Sequence, residues 1–180
     1  MTNPFLKTFT EHTYSRADFA HSISLAREFF EFIFFTKRDA SASKDGIEQF
    51  AAYSKKPLAD IVFLRALPPS FFDVFTRESM YETLNRLSED SKQLKTLSVT
   101  VPVALSRADV EALGMWAHQE VDPDLLIDVD VDPFVAIGCR LVWNNRLHDF
   151  SFDHYLTENK TALHERFVQV QEAPTVPPRS

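Results

Sequence analysis

The sequence contains little glycine, a single cysteine and fewer basic than acidic residues. Its 180 residues include three glycines, too few for phosphate-binding loops or the tight corners of a β-barrel, so helices are expected to dominate. One cysteine, Cys139, forms neither an internal disulfide nor a CxxC site. A formal net charge of -7 argues against a nucleic-acid partner, because such binding requires clustered Lys and Arg. Apolar runs fall short of the roughly 20 residues that span a bilayer. The start of the chain has no signal-peptide core, so we expect a cytoplasmic protein without direct membrane insertion.

Phenylalanine is abundant, with 17 residues, and the apolar fraction of 44% is sufficient for a packed core. In the first half, Ser15 and Asp18 have the spacing of a capping box, and the following apolar pattern predicts a helix to about Thr36. The polar stretch 37–46 predicts a loop. Three further helices are predicted, over Ile47–Ser54, Pro57–Leu67 and Ser70–Leu94.

The pattern changes at Lys95. Alternating apolar residues from Leu97 to Val103 predict a strand, and Ser106 with Asp109 forms a second capping box at the start of a helix. Further strands are predicted over Leu126–Val131, Val135–Trp143 and Arg146–Asp149, followed by a final helix from about Phe152. The sequence therefore predicts an α+β protein with a helical bundle over 1–94, a small α/β domain of about four strands and two helices over 95–168, and a disordered, proline-rich tail over 169–180.

Three aspartates, Asp128, Asp130 and Asp132, alternate along one predicted strand and so share a face. Such a face favours either a divalent-cation site of a small Mg-dependent enzyme or a solvated strand surface. We favour the solvated surface, because no glycine-rich loop or basic motif accompanies the acids. The six histidines form no HxxxH or HxH pair, and no serine lies in GxSxG. We expect no catalytic residues, no metal and no cofactor.

The end of the first long helix is apolar on almost every side. Phe29, Phe30, Ile33 and Phe34 cover more than one helix face, and a helix that is apolar all round must be covered all round. We expect these residues to serve the core of the bundle and to contribute to partner binding as well.

The second half carries an ordered series of short motifs. Asp132-Pro133 ends the acidic strand, Gly138 follows, Asn144-Asn145 has the form of a two-residue hairpin turn, and Asp149-Phe150-Ser151 precedes the final helix. In order and spacing this series resembles the delta subunit of rotary ATP synthases, called oligomycin-sensitivity-conferring protein in mitochondria. The chain departs from that family at Ile137, Arg140 and Asp153.

This resemblance implies a six-helix N-terminal bundle and a small α/β domain. It also implies a non-catalytic peripheral-stalk (stator) subunit, whose bundle holds the alpha subunits of the catalytic head and whose second domain holds the b subunits. Such a protein is cytoplasmic and lies at the inner membrane through the synthase. In that setting Asp132, Pro133, Gly138, Asn144, Asn145, Asp149 and Ser151 are structural residues. The alternatives from other classes are the Mg-dependent enzyme and a free helical adaptor.

Overall fold

The computed structural model describes residues 4–36 and 44–165. These residues form an α+β fold, as predicted, with helices first and a four-stranded sheet with two helices in the second half. The predicted tail over 169–180, and most of the predicted loop over 37–46, lie outside the described residues.

Six α-helices precede the first strand in the described part of the chain. They are α1 (Pro4–Thr10), α2 (Arg16–Glu31), α3 (Lys44–Ser54), α4 (Leu58–Ala66), α5 (Pro69–Phe72) and α6 (Met80–Ser91). A π-helical turn, Phe32–Thr36, continues α2. Ser15 is the N-cap of α2, and its hydroxyl accepts the backbone N–H of Asp18 at 3.0 Å, which satisfies one of the free amides at the helix start.

The prediction of one long helix over Ser70–Leu94 is wrong, because the chain leaves the helical conformation between α5 and α6. In this interval the Ser79 N–H donates to the Thr76 hydroxyl, and the Thr76 N–H donates to the Ser79 hydroxyl, each at 3.2 Å. These local bonds offer the backbone an alternative to the helical ladder. The break also lets Phe75 stack on Phe30, with ring centroids 4.1 Å apart.

Helix α1 precedes the first helix that the sequence predicts. It is only seven residues long, and isolated helices of that length are unstable in water. Packing explains its presence, because Leu6 and Phe9 belong to the core and Phe9 has no exposed area. Phe5 and Phe9 both contact the ring of Phe71.

The remaining elements are β1 (Thr96–Val101), α7 (Arg107–Glu120), β2 (Leu126–Val131), β3 (Arg140–Trp143), β4 (Arg146–Asp149) and α8 (Phe152–Glu158). The strand order in the sheet is β2-β1-β3-β4. The pairs β1–β3 and β3–β4 are antiparallel. Strands β1 and β2 are neighbours and run parallel, since the N–H groups of Leu126 and Asp132 donate to the carbonyls of Lys95 and Val101 at the same offset. Helix α7 joins them, as parallel strands require a crossover connection. A full capping box starts α7: the Ser106 hydroxyl accepts the Asp109 N–H, and the Asp109 carboxylate accepts the Ser106 N–H.

The sequence predicts that the third strand begins at Val135, and this start is wrong. The strand begins at Arg140. Pro133–Val135 form a 3-10 turn instead, and Ala136 and Gly138 both have positive φ, 57° and 98°. Proline donates no ladder hydrogen bond, and left-handed residues cannot continue an extended strand, so the strand starts only after these positions.

Two compact units divide the chain. The N-terminal unit comprises Met1–Leu97 and Ser106–Asp128, and the C-terminal unit comprises Ser98–Leu105 and Val129–Ser180. Helix α7 therefore groups with the helical bundle, whereas the sequence assigned it to a domain beginning at residue 95. Within the N-terminal unit, Gly114 of α7 lies against Tyr14, and the Ile127 N–H donates to the Tyr14 carbonyl at 2.9 Å.

The core of the N-terminal unit is built largely from phenylalanine. Among its largest side chains with almost no exposed area are Phe9, Phe19, Phe29, Phe30, Phe50 and Phe71. Several of these rings meet other phenylalanines edge to face or stacked, at centroid distances of 4.1 to 5.6 Å, and these arrangements add stability beyond apolar burial.

Candidate functional site

The Asp-Pro motif ends β2 and begins the 3-10 turn. The Asp132 carboxylate accepts the backbone N–H of Phe134 at 2.9 Å, and Pro133 occupies the first position of the turn. Proline suits this position because its fixed φ matches the turn and its missing N–H has no partner there. The motif turns the chain sharply and leaves the Phe134 side chain 86% exposed.

Gly138 lies where two backbone segments approach closely. Its φ is +98°, and a Cβ placed on it would lie 2.2 Å from the carbonyl oxygen of Phe150 and 3.0 Å from the Cα of Ser151. Two hydrogen bonds hold this crossing: the Phe150 N–H donates to the Cys139 carbonyl and the Phe152 N–H to the Ile137 carbonyl, each at 2.9 Å. Only glycine fits here without displacing backbone.

Asp149 and Ser151 form the entrance to α8. Ser151 is the N-cap, and its hydroxyl accepts the His154 N–H. Asp149 does not cap α8 directly. Its carboxylate accepts the backbone N–H of the N-cap residue Ser151 at 2.9 Å, and not an N–H of the helix itself. Hydrogen bonds from Ser151, followed by the nearby Arg140 guanidinium, hold the pKa of the Asp149 carboxyl below its usual value.

Arg140 connects these motifs, a role that the sequence interpretation missed. Its Nε lies 3.2 Å from the Asp149 carboxylate and its Nη1 lies 3.6 Å from the Asp132 carboxylate. The predicted hairpin could have revealed the Arg140–Asp149 pair, because a two-residue turn at Asn144-Asn145 places these two residues opposite each other. Asn144 and Asn145 have φ of 49° and 60°, which asparagine tolerates better than most residues.

The three aspartates that were weighed as a cation site differ in what surrounds each carboxylate. Asp132 is engaged by the Phe134 N–H and by Arg140, while Asp128 and Asp130 are exposed. Across residues 4–36 and 44–165, no group of three or more His, Cys, Asp or Glu side chains is placed to hold a metal ion.

The aromatic residues at the end of α2 and in the π-helical turn after it are mainly core. Phe29 and Phe30 have no exposed area, Ile33 is 3% exposed, and Phe34 packs against the core from a partly buried position. Phe35 forms the surface next to them and is 47% exposed. The Cζ atom of Arg77 lies over its ring, 4.8 Å from the ring centroid. That these four residues contact a partner stays a prediction. Phe34 is the one of the four whose side chain is partly accessible.

Large apolar side chains lie exposed around the Gly138 crossing in the C-terminal unit. They are Ile137 (66%), Phe150 (62%), Phe152 (45%), Tyr155 (56%) and Leu156 (38%). Ile137 and Phe152 are joined by a backbone hydrogen bond, and the rings of Phe152 and Tyr155 stack at 6.4 Å. Helix α8 has no buried residue. We call these five residues the α8 surface.

The α8 surface groups five large apolar side chains that are exposed. Single exposed apolar residues are normal, but a group of neighbouring aromatic and aliphatic side chains marks an interaction surface. Phe and Tyr are also enriched at protein interfaces. The α8 surface, together with the hydrogen-bonded frame that holds it, is the feature of the C-terminal unit best suited to binding.

No helix in the described ranges is long and apolar enough to cross a membrane. The chain matches no protein-family model and no curated protein.

Proposed function

We propose that the chain is a non-catalytic peripheral-stalk subunit of a rotary ATP synthase, which links the catalytic head to the stalk. The observation that carries the proposal is the α8 surface. A helix with no buried residue and with Phe152, Tyr155 and Leu156 exposed requires a partner to remove its apolar area from water.

The type of partner follows from the spacing on α8. Phe152 and Tyr155 or Leu156 are three and four residues apart, so they lie on one side of the helix. That spacing is how helices pack against other helices. The b subunits that the family resemblance implies are therefore the proposed partners of the C-terminal unit.

The order of elements supports the same proposal. Six α-helices precede β1 in the described residues, the number that the resemblance implies for the N-terminal bundle. The series β1, α7, β2, β3, β4 and α8 carries Asp132-Pro133, Gly138, Asn144-Asn145 and Asp149-x-Ser151 at element boundaries. The alpha subunits of the head are the proposed partners of the bundle. The proposed location is cytoplasmic, at the inner membrane through the synthase.

Binding to purified synthase segments tests the proposal. The full chain would be titrated separately with an alpha-subunit N-terminal peptide and with a soluble b-subunit segment. In the b arm, Tyr155→Ser is expected to weaken binding by roughly thirtyfold, corresponding to about 2 kcal/mol at an aromatic hot spot. Tyr53→Ser is the matched control, because Tyr53 is 66% exposed in the N-terminal unit.

In the alpha arm, Phe34→Ala is the informative change. It removes a partly buried ring without deleting the fully buried Phe29 or Phe30, so a folded variant with weaker alpha binding supports the predicted surface. Variants are compared only when their circular dichroism and melting match wild type. If the wild-type chain binds neither segment, the stalk proposal is wrong, and a free adaptor with other partners becomes the better account.

A further inference from the structure

A pocket of about 180 Å³ lies in the N-terminal unit where α2, α6 and β2 meet. Its floor consists of three buried apolar residues, Phe19, Ile23 and Leu126. Polar side chains complete its wall, and they belong to Arg16, Ser88, Ser91 and Lys92. An apolar floor with a few polar groups around it is typical of a ligand site. The proposed stalk contacts make no use of this pocket.

The ionisable side chains that line the pocket are both cationic. Arg16 is exposed, and it forms no ion pair within the described residues. Lys92 lies 2.7 Å from Glu89, but these two side chains are 57% and 69% exposed, and a pair so exposed contributes little. None of the described residues in the lining carries a carboxylate. In a chain with a net charge of -7, a pocket with cations alone is suited to an anionic ligand.

Nearby groups leave the pocket its positive charge and add a neutral donor. Asp18, the acid nearest to Arg16 in the sequence, accepts the Ser15 hydroxyl at 2.8 Å as part of the α2 cap. The carbonyl of Ser88 accepts the Ser91 hydroxyl at 2.7 Å. The hydroxyl of Ser88 itself makes no hydrogen bond in the described part of the chain, so it remains available as a donor.

We propose that this pocket binds the carboxylate of a small organic acid with a short apolar tail. The Arg16 guanidinium and the Lys92 ammonium supply charged donors to the carboxylate oxygens, and Arg16 matches them with its planar fork. The tail covers the apolar floor and removes it from water. The volume lies below the roughly 300 to 1,000 Å³ of pockets for drug-sized ligands, so the acid is small.

Two other ligand classes fit the pocket less well. Inorganic phosphate would pair with the cations, but it would leave the apolar floor in contact with water. A neutral apolar molecule would cover the floor, but it would exclude water from the cations without giving them a partner. An apolar acid satisfies both parts of the pocket at once.

Small probes test the proposal on the full ¹⁵N-labelled chain by NMR titration. The probes are isovalerate, its neutral amide isovaleramide, acetate and inorganic phosphate. We expect saturable shifts at the amides of Ala20, Ile23 and Ser88 with isovalerate. Isovaleramide should bind about tenfold more weakly or worse, because it forms no charge-assisted hydrogen bonds with the cations. Acetate and phosphate should each bind several-fold more weakly than isovalerate.

Two variants complete the test. Arg16→Gln should remove the preference for isovalerate over isovaleramide. Arg86→Gln is the matched control, because Arg86 is a 70% exposed cation on α6 that does not line the pocket. Ala20→Leu fills the pocket from an exposed position and should weaken isovalerate binding several-fold.

The opposite results would overturn the site. They are the absence of saturable shifts with isovalerate, equal binding of isovaleramide, an Arg16→Gln effect no larger than that of Arg86→Gln, and binding unchanged by Ala20→Leu. Acetate or phosphate that binds as tightly as isovalerate would overturn the apolar acid as the ligand class.

Discussion

Replacing Gly138 with alanine should destabilise the C-terminal unit severely. At φ +98° an L-residue is strained, which costs roughly 1 to 3 kcal/mol. The added Cβ would also lie 2.2 Å from the Phe150 carbonyl oxygen and within 3.1 Å of two further backbone atoms. One of the two backbone segments that meet at Gly138 must therefore shift. That shift weakens the Phe150–Cys139 and Phe152–Ile137 hydrogen bonds, each worth about 1 kcal/mol. We expect a total loss of about 3 to 5 kcal/mol if both hydrogen bonds are lost.

The assay is urea unfolding followed by the fluorescence of Trp143, which lies in β3, in a background where the exposed Trp116 is replaced by Phe. The matched control is Ala136→Gly, two residues away, where an alanine already has φ of 57°. Relief of strain there should offset the flexibility of glycine, so the control should be neutral or slightly more stable. A Gly138→Ala midpoint equal to wild type, or a control that loses more stability than Gly138→Ala, would refute the reasoning.

Gly114→Ala should cost about 1 to 3 kcal/mol in melting experiments despite the better helix propensity of alanine, because the new Cβ would lie 2.2 Å from the Tyr14 Cβ. Ser106→Ala should lower stability by about 1 kcal/mol through loss of the α7 capping box, whereas Ser24→Ala on the exposed face of α2 should have little effect. Hydrogen bonds from Ser151 hold the pKa of the Asp149 carboxyl below its usual value, and the hydrogen bond from the Lys95 ammonium does the same for the pKa of Asp122. Their stabilisation is therefore present at neutral pH and lost as pH falls below about 4. Urea midpoints measured from pH 7 to pH 3 should fall less steeply in Asp149→Asn and Asp122→Asn, and parallel curves would contradict the assignment.

Local sequence signals predicted the features that are determined locally. Capping residues at Ser15 and Ser106 mark true helix starts, and alternating residues mark β1. These features depend on a few neighbouring residues, whose hydrogen bonds and side-chain directions follow from spacing alone.

Features that depend on distant contacts were not predictable in the same way. Helix α1 is held by Phe71, far along the chain, and the break before α6 accompanies the stacking of Phe75 on the distant Phe30. The grouping of α7 with the bundle depends on the fit of Gly114 against Tyr14. Arg140 looked like a departure from a pattern until the hairpin register placed it opposite Asp149.

The central claim, that the chain is a stalk link, is tested most directly by purifying the rotary ATP synthase from cells that carry a tagged copy of the chain. The account predicts that the chain copurifies with alpha and b subunits. It also predicts that Tyr155→Ser releases the b subunits while Tyr53→Ser retains them. Recovery of the tagged, folded chain without alpha or b subunits, from cells whose intact synthase is isolated without it, would contradict the account.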